Sequence, residues 1–334
     1  MSAASDAPVK TLAYRIKRAF GLTPKIENPN MIYYETAGKA RKAHATWYRG
    51  SVTNFFPDKR AIRDLASVDE YVGKGWFPSA PFITKENYIT AFGSCFASEV
   101  TKFLFKEGYR VFGRDLTLNS YVVRSGEGIV NSAAVRQQFE WAFEGITPKI
   151  ELWHDKAGVP GDYSEDVRRS TREIFEKSDV FILTLGLSEV WYDKPTGEIF
   201  WRAIPKRDFD PDRHGFRVLS AAENLDNLRR IYQLIRKHRP GATIIMTLSP
   251  VPLAATFRPV SCITANSVSK AALRVAIDEL MREAEPSADS NFYYFPSYEI
   301  VTSFLENPMK DDFRHPTDDA VAFIMRTFQR HFLS

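Results

Sequence analysis

Two uninterrupted apolar runs, "DVFILTLG" at 179–186 and "ATIIMTLSP" at 242–250, constrain this chain more than any other feature. A strand with one wet face alternates polar and apolar residues. These runs do not, so each reads as a strand buried on both faces. Helical patterns surround them. "CFASEVTKFLFKEG" follows the β-rich "NYITAF" and sets Phe96, Val100, Phe103 and Leu104 at helical spacing, with Gly108 as a stop. "NLDNLRRIYQLIRKHRPG" places Leu225, Leu228, Ile231 and Ile235 on one face. "NSVSKAALRVAIDELMREAE", the strand-like "FYYFPS" and a last helix headed by Pro316 continue the alternation. Strand then helix, repeated, predicts an α/β fold with a mostly parallel sheet covered on both faces. Reactive groups in such sheets collect at the carboxyl ends of the strands. Ser94, Gly186, Ser249 and the segment after Ser297 all fall there.

Residues 1–86 read differently. Pro24, Pro29, Pro57, Pro78 and Pro81 break them, and they carry Trp47, Tyr48, Phe55, Phe56 and Trp76. The expected organisation is an irregular N-terminal arm over 1–86, packed on a core domain over 87–334. Within the arm, Leu12, Ile16 and Phe20 recur every fourth residue among Lys10, Arg15, Lys17 and Arg18. Residues 9–22 therefore read either as a basic amphipathic helix touching an anionic membrane or as a helix packed on its own domain. The N-terminus has no apolar signal-peptide core, and no run approaches the roughly 18 residues of a membrane span. Two cysteines, Cys95 and Cys262, are too few for a disulfide framework. The expected location is cytoplasmic. Net charge is +4, with 45 basic residues nearly matched by 41 acidic ones. That balance, without a clustered basic motif, argues against a nucleic-acid partner.

The chemistry-bearing stretch is "AFGSCFASEV" at 91–100. Ser94 stands where a strand gives way to a helix. There it can cap the helix, or act as a nucleophile beside backbone N–H groups that favour an oxyanion. A serine needs a base, and "DDFRHPTDD" offers His315 with Asp312 three residues before it. A carboxylate at that spacing can fix the imidazole tautomer and leave the other ring nitrogen to take a proton. Cys95 is the rival nucleophile. Consecutive residues at a helix start diverge, so if Ser94 faces the strand ends, Cys95 is expected to turn into the core. Asp208, Asp210 and Asp212 alternate like the start of a calcium loop, but Arg213 and Leu219 occupy the positions that need glycine and glutamate. No metal site is expected, and residues 207–215 read as a flap or a solvated loop. No dinucleotide or P-loop fingerprint occurs, so no cofactor is implied.

"GSCFA" at 93–97 resembles the signature of the GSCFA family. "TLGLSEVW" (184–191), "SPVPL" (249–253), "YYFPSYEIV" (293–301) and "DFRHP" (312–316) resemble that family too. The family is similar to SGNH (GDSL-like) esterases and acyltransferases. The resemblance implies a three-layer α/β/α sandwich with a flavodoxin-like sheet. It assigns Ser94 as nucleophile, Asp312 as orienting acid and His315 as base. The SGNH oxyanion hole joins the serine N–H, a glycine and an asparagine. Here Ser94 supplies the first, Gly128 and Asn131 stand in "GEGIVN", and Ser188 and Glu189 stand where the asparagine is expected. Glu189, Ser249 and Asn266 are the expected substrate contacts. The function implied is a serine-dependent acyl ester hydrolase or O-acyltransferase, working through an acyl-Ser94 intermediate. A glycan ester is the preferred substrate, because aromatics of the arm can stack on sugar rings. The alternative is a catalytically weak or inactive carbohydrate-binding protein of the same fold.

Overall fold

The computed structural model describes residues 31–36, 39–44, 54–58, 61–62 and 65–334, other than 116, 125–127, 156, 162 and 286–288. Residues 9–22, Trp47 and Tyr48 lie outside the described residues. The chain divides into two compact units, 1–59 and 60–334. In the first, β1 (Met31–Thr36) pairs antiparallel with β2 (Lys39–His44), Met31 opposite His44 and Thr36 opposite Lys39.

The second unit carries the strands β3 (Tyr88–Gly93), β4 (Arg110–Val111), β5 (Val180–Leu185), β6 (Glu189–Asp193), β7 (His214–Val218), β8 (Thr243–Leu248) and β9 (Phe292–Tyr294). Its main helices are α1 (Cys95–Lys106), α2 (Ser132–Glu144), α3 (Glu165–Lys177), α4 (Ala221–His238), α5 (Cys262–Ala284) and α6 (Asp318–Phe332). Residues 60–86 belong to this unit, with Val68 and Ile83 fully buried in its core.

Five strands form the central sheet in the order β4-β3-β5-β8-β9, every neighbouring pair parallel. Counted along the chain, that order is 2-1-3-4-5, the flavodoxin-like arrangement. Side chains alternate across the sheet, and the two sets build two apolar layers. Ile89, Ala91, Ile182 and Ile245 pack with Phe96 and Val100 of α1 and with Ile324 and Phe328 of α6. Phe92, Phe181, Leu183 and Met246 face Phe139, Phe175, Leu228 and Ile277 of α2 to α5. The sheet is thus sandwiched between helices, as the unbroken apolar runs require. β5 is buried at all six positions, and so is β8.

Local signals set the helix starts. Ser94, Asn131, Ser220 and Thr317 each accept a backbone N–H of the helix that follows, and Ser220 forms a reciprocal box with Glu223. Each such cap contributes about 1 kcal/mol. Beyond β5 the chain leaves the sheet as an antiparallel ribbon of β6 with β7, Trp191 opposite Phe216. No helix among the described residues is long and apolar enough to cross a membrane.

Candidate active site

Strand order reverses between β3 and β5, so the carboxyl ends of these two strands open the crevice typical of doubly wound sheets. Gly93 closes β3 with φ at +136°, a region that favours glycine. A Cβ there would stand 2.1 Å from the Thr184 carbonyl oxygen. Gly186 closes the other side, where a Cβ would come within 3.3 Å of Ser94 Cβ and Val130 Cβ. Two glycines thus let three strand-end segments meet at Ser94.

That closeness determines where Ser94 points. Its N–H donates to the Thr184 carbonyl and hydroxyl, each at 2.8 Å. Its Oγ lies 3.1 Å from Thr184 Oγ1 and accepts the Phe96 N–H at 3.3 Å. The residue is 4% exposed. A cap must fold back over the first turn to accept that N–H, which turns Ser94 inward. The next side chain then leaves in another direction, and Cys95 is exposed. The two directions are therefore the reverse of the sequence expectation, which sent Cys95 into the core.

Cys95 lines a cleft of about 800 Å³ between α1 and α6, and His315 and Pro316 line the same cleft. His315 Nδ1 sits 2.5 Å from Asp312 Oδ2. Asp312 Oδ1 also accepts the Arg314 and His315 N–H groups, both at 2.9 Å. These donors hold the Asp312 carboxyl well below the usual carboxylate range: the His315 N–H first, then the His315 ring, then the Arg314 N–H. Phe313, inside this turn, has φ at +54° and is 83% exposed. A bulky residue held there costs about 1–2 kcal/mol, so the turn that presents the imidazole is strained. The structure brings Asp312 and His315 together. It makes no hydrogen bond between His315 and Ser94.

The remaining expected site residues separate into supports and wall. Ser188 is fully buried. Its N–H donates to Ser269 Oγ and its hydroxyl to the Ser269 carbonyl, so it locks α5 and is not an oxyanion donor. The Ser94 N–H is likewise committed to the ladder with β5. Ser249 is fully buried, donates its N–H to the Leu185 carbonyl and accepts the Val251 N–H. Asn266 accepts the Leu253 N–H at 3.1 Å. Both shape the 249–253 segment. Gly128, half-exposed before α2, lines neither the cleft nor the pocket that Glu189 lines. Asn131 caps α2 through Oδ1 and, with Glu189, lines that pocket.

Lys270, on α5, is 1% exposed. Its Nζ donates to the carbonyls of Gly186 (2.6 Å), Ser249 (2.8 Å) and Val251 (2.8 Å). Three acceptors match the three N–H bonds of an ammonium. Burial pushes Lys270 down to about 7, and its electrostatic interaction with the nearby Cys95 opposes that shift. A buried lysine amine therefore underlies the strand ends near Cys95. The sequence signal was a lysine on the apolar face of a helix, next to Leu273 and Ala276 in register.

Several solved structures match this chain at low identity and low TM-score. A candidate acylhydrolase from Bacteroides fragilis is 12% identical, with 76% of this chain and 88% of that one covered and a TM-score of 0.36. A candidate platelet activating factor from Streptococcus pneumonia is 13% identical, with 75% and 83% covered and a TM-score of 0.34. A family two carbohydrate esterase from Clostridium thermocellum, solved with cellohexaose, is 14% identical, with 76% and 63% covered and a TM-score of 0.29. No curated protein matches. The site's chemistry accordingly rests on its own residues. The GSCFA family signature matches residues 88–328, and the chain belongs to the GSCFA family.

Proposed function

We propose that this protein is an acyl-transfer enzyme of the esterase type, with Cys95 as nucleophile and the Asp312–His315 pair as its base. One observation carries the reading: the exposed Cys95 and the Asp312-bound His315 line one cleft, while Ser94 is buried against Thr184. With Nδ1 held by Asp312, His315 keeps Nε2 for proton transfer. His315 takes the Cys95 proton, and the thiolate attacks an ester carbonyl. The S–C bond forms, the C–O bond breaks, and the leaving alkoxide takes the proton back from His315. Water or a hydroxyl then attacks the thioester with His315 again as base, releasing the acid or the new ester and regenerating the thiol. Hydrolysis and transfer differ only in that acceptor.

The surroundings suit these steps. Cys95 is the first residue of α1, where the helix dipole favours a thiolate and a developing oxyanion. Phe96, Phe103, Val321 and Met325 give the cleft an apolar wall against which an acyl chain can lie.

The test is burst kinetics with a p-nitrophenyl acyl ester on the full chain. Cys95→Ala should abolish the burst. His315→Ala should slow acylation by about three orders of magnitude or more. Ser94→Ala should keep the burst while losing about 1 kcal/mol of stability as a missing cap. A burst lost in Ser94→Ala and kept in Cys95→Ala returns the nucleophile to Ser94. Folded wild-type protein that reacts with no ester in a short- to long-chain series favours a binding protein on this fold.

A further inference from the structure

Beside the nucleophile turn lies a second cavity of about 290 Å³, the low end of the range for small-molecule sites. Gly186 connects the two regions. Its N–H donates to the Val130 carbonyl at 2.8 Å, it abuts Ser94, and Val130 and Asn131 line the cavity. The walls are aromatic: Trp191, Phe200, Trp201, Phe216 and Phe257. Glu189 and Trp191 stand two apart on β6 and so share one face of that strand.

Both carry buried polar atoms that the protein leaves unsatisfied. Glu189 is 6% exposed, and neither carboxylate oxygen accepts a hydrogen bond among the described residues. Trp191 Nε1, equally buried, donates none. Leaving a buried carboxylate without hydrogen bonds costs several kcal/mol. Such groups persist where a ligand completes them. Arg258 stands 3.6 Å from Glu189 Oε1, so the carboxylate's charge is already opposed while its hydrogen-bonding capacity is not used.

We propose that this pocket is a sugar-ring subsite, in which Glu189 accepts from ring hydroxyls, Trp191 Nε1 donates to one, and the aromatic walls stack on the C–H face. The unmet groups select the ligand class. An acceptor and a donor on one strand face call for a group that both donates and accepts, and a hydroxyl does. An organic cation would suit the aromatic walls and the carboxylate, but it offers nothing to the indole N–H and would compete with Arg258. Asn131 adds a further donor: its Oδ1 is fixed by capping, so the amide nitrogen is the end left for a ligand. The assignment of this pocket to the alcohol side of the ester rests on the acyl-transfer reading. Sugar binding itself requires no bond to be made or broken.

The test is saturation-transfer NMR on the full chain with glucose, galactose, N-acetylglucosamine and, as controls, glycerol and choline. At least one sugar should bind in the millimolar range, and choline should not. Glu189→Gln should weaken that sugar about tenfold, the loss of a charge-assisted acceptor. Trp191→Phe, which keeps the ring and removes the N–H, should weaken it about fivefold. The thermal midpoint of Trp191→Phe without sugar should match or exceed the wild type, since it removes an unsatisfied buried N–H, and Glu189→Gln, which keeps the side-chain volume, should remain cooperatively folded. Choline binding without sugar binding, no sugar binding by the wild type, or equal binding by both folded variants overturns the proposal. Cys95→Ala separates the two readings: it should bind the sugar as well as the wild type does even if the acyl chemistry proves wrong.

Discussion

Asp312 has two tasks in three residues of chain. One oxygen ties the Arg314 and His315 N–H groups into the turn, and the other orients the imidazole. Its carboxyl is held well below the usual range, so it stays ionised throughout the working pH range. Asp312→Asn keeps an acceptor for the turn but offers an N–H to Nδ1. Steady-state kinetics should show kcat falling by about 10²–10⁴ with the thermal midpoint little changed. Lys270 makes a second residue-scale prediction. Its folded value near 7 lies below the ordinary lysine value, so between them the unfolded chain binds a proton that the folded chain does not. Its contribution to stability therefore rises as pH rises through that window and is smallest below pH 7. Denaturant unfolding across pH 7 to 10 should show that upward trend in the wild type. It should be absent in Lys270→Met, which is less stable overall because three carbonyls lose their donor.

At the scale of elements, the strand-to-helix turn from β3 to α1 depends on Gly93. Alanine there meets the Thr184 carbonyl at 2.1 Å and Thr184 Oγ1 at 2.7 Å in a backbone region that disfavours any side chain. Gly93→Ala should cost about 3 kcal/mol or more in denaturant unfolding, because β3 must move off β5. The ends of the helices were legible because caps are local: a serine, asparagine or threonine before an apolar-periodic run suffices. The direction of the cap's side chain was misread from the sequence: accepting the Phe96 N–H turns Ser94 inward and leaves Cys95, not Ser94, in the cleft. The ribbon of β6 with β7 was not legible as a pair. Its strands are separated by the polar 194–213 segment, and their pairing is set by packing of Trp191 against Phe216 and Phe257 rather than by a tight turn signal.

For the molecule as a whole, the unbroken apolar runs at 179–186 and 242–250 determine a sheet buried on both faces, and the 2-1-3-4-5 order follows from which helices cover it. The convergence of residues 94–95, 186 and 249 at one end was legible from strand direction alone. What each group does there was not, because it depends on partners far away in sequence: Thr184 for Ser94, Ser269 for Ser188, Gly186 and Ser249 for Lys270. Those contacts turn several expected site residues into supports. The most direct test of the central claim is mass spectrometry of the full chain, acid-quenched during turnover of a p-nitrophenyl ester and then digested. The account predicts one added acyl group, on Cys95 and released by neutral hydroxylamine as a thioester. An acyl group on Ser94, or turnover with no acylated peptide, would contradict it.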